Sequence, residues 1–320
     1  MEAIDDRALT SVPAVEPGVV GLGRYGTENL VVTAAQFVAW AVTLSAMQAL
    51  PIWGRIALLP FFCFMMQGVF SMMHEAFHKN AHRDPRWNAF IGTVGSTLFG
   101  TSFTLHRIHH WGHHVRNRSV AEQGEFIHSD ETVLRKVSLY YFATLGGLWL
   151  GGLLFPLFAL FVPYRSVVWL AKDKKLNTYS AAYEQFKPSD WTRMRLEALG
   201  AVVFWIGAVQ LLRWDLGTLA LAYGTFAVSW SSLQWIYHLG TPLDVVEGAY
   251  NLRLPTPVRW LFLNFNYNLT HHRRPHLPWQ ELCAASDHAE TQPLWYRWLL
   301  MFKPPVRVPA DLSFLEKRYF

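Results

Sequence analysis

Five histidines fall within nine positions in "HRIHHWGHH", residues 106 to 114, of a 320-residue chain that holds 14 histidines in all. Imidazole is a nitrogen ligand of intermediate softness that suits iron, zinc and copper, so clustered imidazoles point first to a metal centre. On a helix, His110, His113 and His114 stand at i, i+3 and i+4 and share one side. The overlapping set His106, His109 and His110 has the same spacing, so periodicity leaves the register open.

Three further places add ligands. In "HEAFH", His74 and His78 stand four apart and project from one helical face. In "NYNLTHHRRPHLPW", the pair His271 and His272 follows Asn268, whose amide oxygen can coordinate a metal or hold a ligating water. His276 comes after Pro275, which leaves its direction open, and it is set aside. His238 ends a hydrophobic segment in "WIYHLG", where a titratable group at a membrane boundary requires a partner or a function.

Each signal alone has a plainer reading: interfacial histidines for the first motif, a solvated helix for the second, a snorkelling side chain for His238. Taken together, His74, His78, His110, His113, His114, His238, His271 and His272 exceed what a tetrahedral zinc site uses and suit two octahedral metals with open positions. Two neighbouring irons can activate O2 and share the electrons needed to cleave it, which gives an oxidant for unactivated C–H bonds. Each ligating ring also needs an acceptor for its second N–H, and Glu75, Glu122 and Glu125 are candidates.

The elements that must position these groups are greasy. Hydrophobic residues make up 52% of the chain and charged residues 16%. Residues 30–50 run without a charge for long enough to cross a bilayer. The segments 52–73 (one charge, Arg55), 138–163 (none) and 199–237 (divided by "RWD" at 213–215) resemble it. We expect an all-α integral membrane protein with about four transmembrane helices in two hairpins, 30–50 with 52–73 and 199–212 with 216–237. A cytosolic helical cap then carries the histidine motifs. A full crossing by 138–163 would strand seven basic residues between 165 and 195 outside, against the positive-inside pattern. Its "LGGLWLGGLLFP" interior instead suits a re-entrant hairpin. The parts 79–105 and 164–198 read as interfacial helices or loops, with helix initiation at "DPRWN". Residues 1–27 read as a cytosolic tail and 28–320 as one membrane-embedded domain.

The net charge of +5 could suggest nucleic acid, but the basic residues cluster in loops beside the spans, which fits anionic headgroups or an acidic redox partner. Cys63 and Cys283 are the only cysteines, so an iron–sulfur centre must sit on a separate chain. Trp230, Trp235 and Tyr237 near His238 read as lipid-interface aromatics, with the lining of a substrate tunnel as the bolder reading.

The pattern resembles the membrane-bound fatty acid desaturase and hydroxylase superfamily, whose three boxes read HxxxH, HxxHH and HxxHH. "HEAFHKNAHRDPRWNAFIG" is similar to its first box followed by an Asn and a Gly, here Asn88 and Gly92, and the interval to the second box then favours His110, His113 and His114. "NFNYNLTHHRRPHLPW" resembles the third box, "NxNYHLxHHxxPxxPW", with Asn268 where a histidine usually stands. The likeness spans about residues 60–285. It implies a cytosol-facing di-iron centre, O2 as co-substrate, a lipid or acyl substrate, and electrons from a ferredoxin-like or cytochrome partner. His106 or a water held by Asn268 is expected to complete the shell. Arg107, Arg116, Arg273 and Arg274 flank the boxes and are expected to dock the donor or a phosphate-bearing head.

The leading function is an O2-dependent desaturase of an acyl chain. A hydroxylase or ketolase of an alkyl or carotenoid substrate uses the same ligands. A zinc-dependent membrane hydrolase needs only about three protein ligands, and a metal transporter should carry polar groups deep in its spans rather than at their ends.

Overall fold

The computed structural model describes residues 23–119, 122–167 and 186–309. Most of the expected 1–27 tail lies outside these residues, as does the middle of the 164–198 stretch. The helices in chain order are α1 (Gly26–Ala49), α2 (Ile52–Phe77), α3 (Pro85–Phe99), α4 (Phe103–Arg116), α5 (Val133–Phe142), α6 (Leu148–Phe161), α7 (Pro188–Leu212), α8 (Leu216–Ile236), α9 (Thr256–Leu261), α10 (Asn268–Arg273), α11 (Trp279–Ala285) and α12 (Leu294–Leu300). Two short parallel strand pairs, β1 (Phe126–Ile127) with β4 (Val306–Arg307) and β2 (Asn251–Arg253) with β3 (Thr291–Pro293), tie the loops together.

This is an all-α integral membrane fold. Helix α7 turns Leu196, Leu199, Val203, Ile206 and Leu211 outward, and α1 does the same with Val31, Val38 and Val42. Stripes of that kind are stable against lipid, not water. Helix α2 is hydrophobic on all sides because it runs through the centre, and every residue from Met65 to Phe77 is buried. The two expected hairpins meet at their turns: Trp214 Nε1 donates to Ser45 Oγ at 3.1 Å, the Asp215 N–H to Gln48 Oε1 at 2.9 Å, and Arg55 to Thr218 Oγ1 at 2.6 Å. All the histidine motifs lie toward the other end.

Four helical stretches are long and apolar enough to cross a membrane: α1, α2, Val133–Phe161 and α7. The number matches expectation, but one member differs. Val133–Phe161 qualifies, whereas α8 does not, because Thr218, Tyr223, Thr225, Ser229, Ser231 and Ser232 lower its hydropathy. Helix α8 is a core helix that packs on protein, which removes the need for an all-apolar surface. The aromatics near its end are core as well: Trp230 is 6% exposed and Tyr237 fully buried, which corrects the expectation of an interface belt there.

The 133–161 stretch is broken where the glycines predicted. Leu145 leaves helical geometry and Gly146 takes a φ of 124°, open to glycine and strained for other residues. Contacts along α8 give the depth of the break. Tyr140 meets Trp235 near the histidine end, Gly146 faces Ala227, and Trp149 meets Tyr223. The chain then climbs back, with the Ala159 and Val162 carbonyls taking hydrogen bonds from Arg195 near the start of α7. Both ends of the stretch stay on the histidine side. A core of Trp40, Phe62, Trp205, Tyr223 and Phe226 holds the spans together, with Trp40 Nε1 donating to Tyr223 Oη and Tyr223 Oη to the Leu98 carbonyl, both at 2.7 Å.

Candidate metal centre

Helix α4 carries the densest histidine motif, and both its ends are tied to other elements. Ser102 caps its start, accepting from the Leu105 N–H at 3.1 Å. The Glu197 carboxylate of α7 takes the Thr104 N–H at 2.9 Å, the Thr104 hydroxyl at 2.7 Å and the Ser102 hydroxyl, so an anion faces the positive end of the helix. At the far end Asn117 donates to the Val245 and Gly248 carbonyls. Helix α3 can lie close beside α4 because Gly92 has no Cβ; one would sit 2.2 Å from the Phe103 ring. Asn88 donates to the Ala76 carbonyl at 2.9 Å and so fixes the end of α2 between His74 and His78.

The short helix α10 carries His271 and His272. Asn251 of β2 holds it from behind, donating to Thr270 Oγ1 at 3.1 Å and accepting the Thr270 N–H at 3.1 Å. Asn266 performs the same task one turn earlier, donating to the Leu252 carbonyl at 2.8 Å.

These supports bring eight imidazoles into two adjoining groups. His74, His78, His110, His114 and His271 form one, and His113, His238 and His272 form the other, with the candidate ligand atoms of each group within 4.8 Å of one another. The His114 and His272 rings, one from each group, lie 4.8 Å apart. His110, His113 and His114 are therefore the register that converges. His109 turns away to pack on Phe186, and His106 packs among Phe70, Phe99 and Trp230, so neither joins a group. His106 was expected to complete the shell; one full turn before His110, its ring lies outside both groups. Asn268, at i−3 and i−4 to His271 and His272, is 4% exposed and its Oδ1 has no hydrogen-bond partner.

The donor atoms fit a bound cation. An imidazole nitrogen has a single in-plane position, filled by a proton or a lone pair. Nε2 of His110 meets Nε2 of His78 at 2.7 Å and of His114 at 2.9 Å, and Nε2 of His114 also meets that of His271 at 3.0 Å. No placement of protons turns all three contacts into hydrogen bonds, because two of the nitrogens would each need two positions. Burial, reinforced by the neighbouring rings, holds His78, His110, His114, His238 and His272 well below the usual imidazole range and brings His271 down to about 3. Neutral rings with free lone pairs are the form a metal needs.

Two rings have their other N–H satisfied. His113 Nδ1 pairs with Glu122 at 2.6 Å and His238 Nδ1 with the Gly248 carbonyl at 2.8 Å. Of the three glutamates expected in this role, only Glu122 fills it. Glu75 accepts the Trp279 N–H at 3.2 Å at the start of α11, and Glu125 pairs with Arg118 at 2.5 Å. Three of the four arginines expected to dock a partner are engaged within the chain: Arg107 lies 3.7 Å from Asp190, Arg116 3.9 Å from Glu122, and Arg273 clamps both Glu247 and Glu290. Arg274 is exposed and has no ion pair among the described residues.

Sequence reading passed over Glu197 and Asn251. An acid at the edge of the apolar run of α7 was a usable signal for the first; nothing local marked the second. The model of the fatty acid desaturase family matches residues 33–303. No curated protein matches the chain.

Proposed function

This chain belongs to the fatty acid desaturase family, and from that premise we propose that it is an O2-dependent di-iron desaturase that introduces a double bond into the acyl chain of a membrane lipid. The observation that carries the reading is the convergence of eight imidazoles, from four separate stretches of chain, into two adjoining groups. We assign one iron to His74, His78, His110, His114 and His271. The second goes to His113, His238 and His272, with Asn268 completing its shell through a water. When bound, the metal pair supplies the O2-activating redox chemistry.

The chain's own residues do the rest. Glu122 and the Gly248 carbonyl hold the His113 and His238 rings in the tautomer that presents Nε2 inward. Phe70 and Phe265 wall the cage on its membrane side, 6.3 and 4.8 Å from the His74 ring, with Phe99 packed behind Phe70. The proposed orientation puts this face in the cytosol, where the basic loops lie.

The experiment is lipid profiling of a host that expresses the protein beside a His271→Ala variant, under labelled O2. The proposal expects an unlabelled lipid two hydrogens poorer that the variant does not make. Label retained in the product would make the protein a hydroxylase or ketolase instead.

A further inference from the structure

Trp111 projects from α4 at the flank of its ligand face, one residue after His110 and three before His114. Its ring lies 4.9 Å from His78 and 6.1 Å from His114, both in the five-histidine group, and 6.4 Å from His276. The indole N–H donates to the Phe77 carbonyl at 3.1 Å, so the ring is fixed rather than free to swing. Trp111 and His276 are half-buried, each with one edge toward the cage and some surface toward solvent. The turn that follows α2 packs against the loop of His276: Asn80 donates to the Pro275 carbonyl at 3.4 Å, and Lys79 precedes it in the same turn. Lys79 and Arg274 are exposed and carry no ion pair among the described residues. The other arginines that flank the boxes are already neutralised by Asp190, Glu122, Glu125, Glu247 and Glu290.

Resting on the function proposed above, we infer that Trp111 receives electrons for the metal pair and that Lys79 and Arg274 border the docking surface of an acidic one-electron carrier protein. The stoichiometry requires two electrons from outside the chain, and a one-electron carrier supplies them in two steps. R–CH2–CH2–R + O2 + 2 e− + 2 H+ gives R–CH=CH–R + 2 H2O, so each turnover oxidises two carriers by one electron each while O2 is reduced. Cys63 and Cys283 are free and distant in sequence, so the chain offers no thiolate cluster of its own to store those electrons. A fixed, half-buried aromatic ring that packs against two cage histidines gives a path from solvent to the five-histidine group. Unpaired cations around it supply the complementary charge that orients an acidic partner.

The test uses the full chain in lipid nanodiscs with a plant-type [2Fe–2S] ferredoxin as the acidic probe. Binding is measured on metal-free and iron-loaded protein, so that the surface is judged apart from the metal. Affinity should fall with salt and drop at least tenfold in Lys79→Glu/Arg274→Glu, while Arg213→Glu, at the opposite end of the molecule, binds as the parent. In stopped flow, reoxidation of reduced ferredoxin should slow at least tenfold in Trp111→Leu and much less in Trp111→Phe, with dithionite reduction unchanged in both. Undetectable ferredoxin binding, a double variant that binds normally, or a Trp111→Leu protein that either takes electrons at the parental rate or loses dithionite reduction equally would each overturn the inference. A parent that binds ferredoxin but never takes up iron would instead refute the di-iron reading and leave the surface standing.

Discussion

Replacing Glu197 tests whether the histidine helix is held in place from outside the cage. Its carboxylate takes three hydrogen bonds at the start of α4, from the Ser102 hydroxyl and from the Thr104 N–H and hydroxyl. A bond to a charged acceptor contributes about 1.5–3 kcal/mol. An anion at a helix N-terminus adds about 0.3–1 kcal/mol. In Glu197→Ala the two hydroxyls can rotate toward backbone carbonyls, so the Thr104 N–H is the group left without a partner. Losing that bond and the helix-end interaction amounts to about 3 kcal/mol. Glu197→Gln keeps the shape and one acceptor oxygen but makes neutral bonds about half as strong, which brings the loss to about 1–2 kcal/mol. Because α4 carries His110, His113 and His114, the order parent, Gln, Ala should hold both for the unfolding midpoint of detergent-purified protein and for its metal content. A Glu197→Ala protein with the parental midpoint and full metal would refute the idea that this clamp positions the cage.

Three other outcomes follow from the same geometry. In metal-free protein, burial brings His106 and His271 to about 3, against about 6.5 in an unfolded chain, so the unfolded state binds more protons between these values. Their contribution is present above about pH 6.5 and is lost as pH falls, at a cost of about 2 kcal/mol each by pH 5; a thermal midpoint that stays flat from pH 7 to 5 would contradict this. Glu122→Ala removes the acceptor for His113 and should weaken metal binding about 10–100-fold, read by chelator competition. His106→Ala should leave the metal stoichiometry unchanged, since that ring faces Phe70, Phe99 and Trp230; loss of a metal would return it to the cage.

Spacing made the histidines legible because a helix repeats every 3.6 residues, and i, i+3, i+4 sets must share a face. That rule gave two registers for α4. The interval from the first box in the family pattern favours one of them, and the packing of its N-terminus against Glu197, of His106 against Trp230 and of His109 against Phe186 gives the physical reason. The hairpins were visible as uncharged runs, and the break at Gly146 as a glycine-rich interior. The central position of α8 was not, because hydropathy cannot distinguish a lipid-facing helix from one that packs on protein. The arginines beside the boxes looked available for docking, yet Arg107, Arg116 and Arg273 find acids tens to nearly a hundred residues away or across a loop, which no local pattern encodes. Asn251, which seats the third motif, has the same non-local character.

Metal analysis of the protein purified from iron-replete cells, joined to X-ray absorption at the iron edge, bears most directly on the paired site. Two irons per chain in a shell of imidazole nitrogens are expected, falling to about one in His272→Ala. One zinc per chain, or a single iron unaffected by that substitution, would contradict the proposed centre.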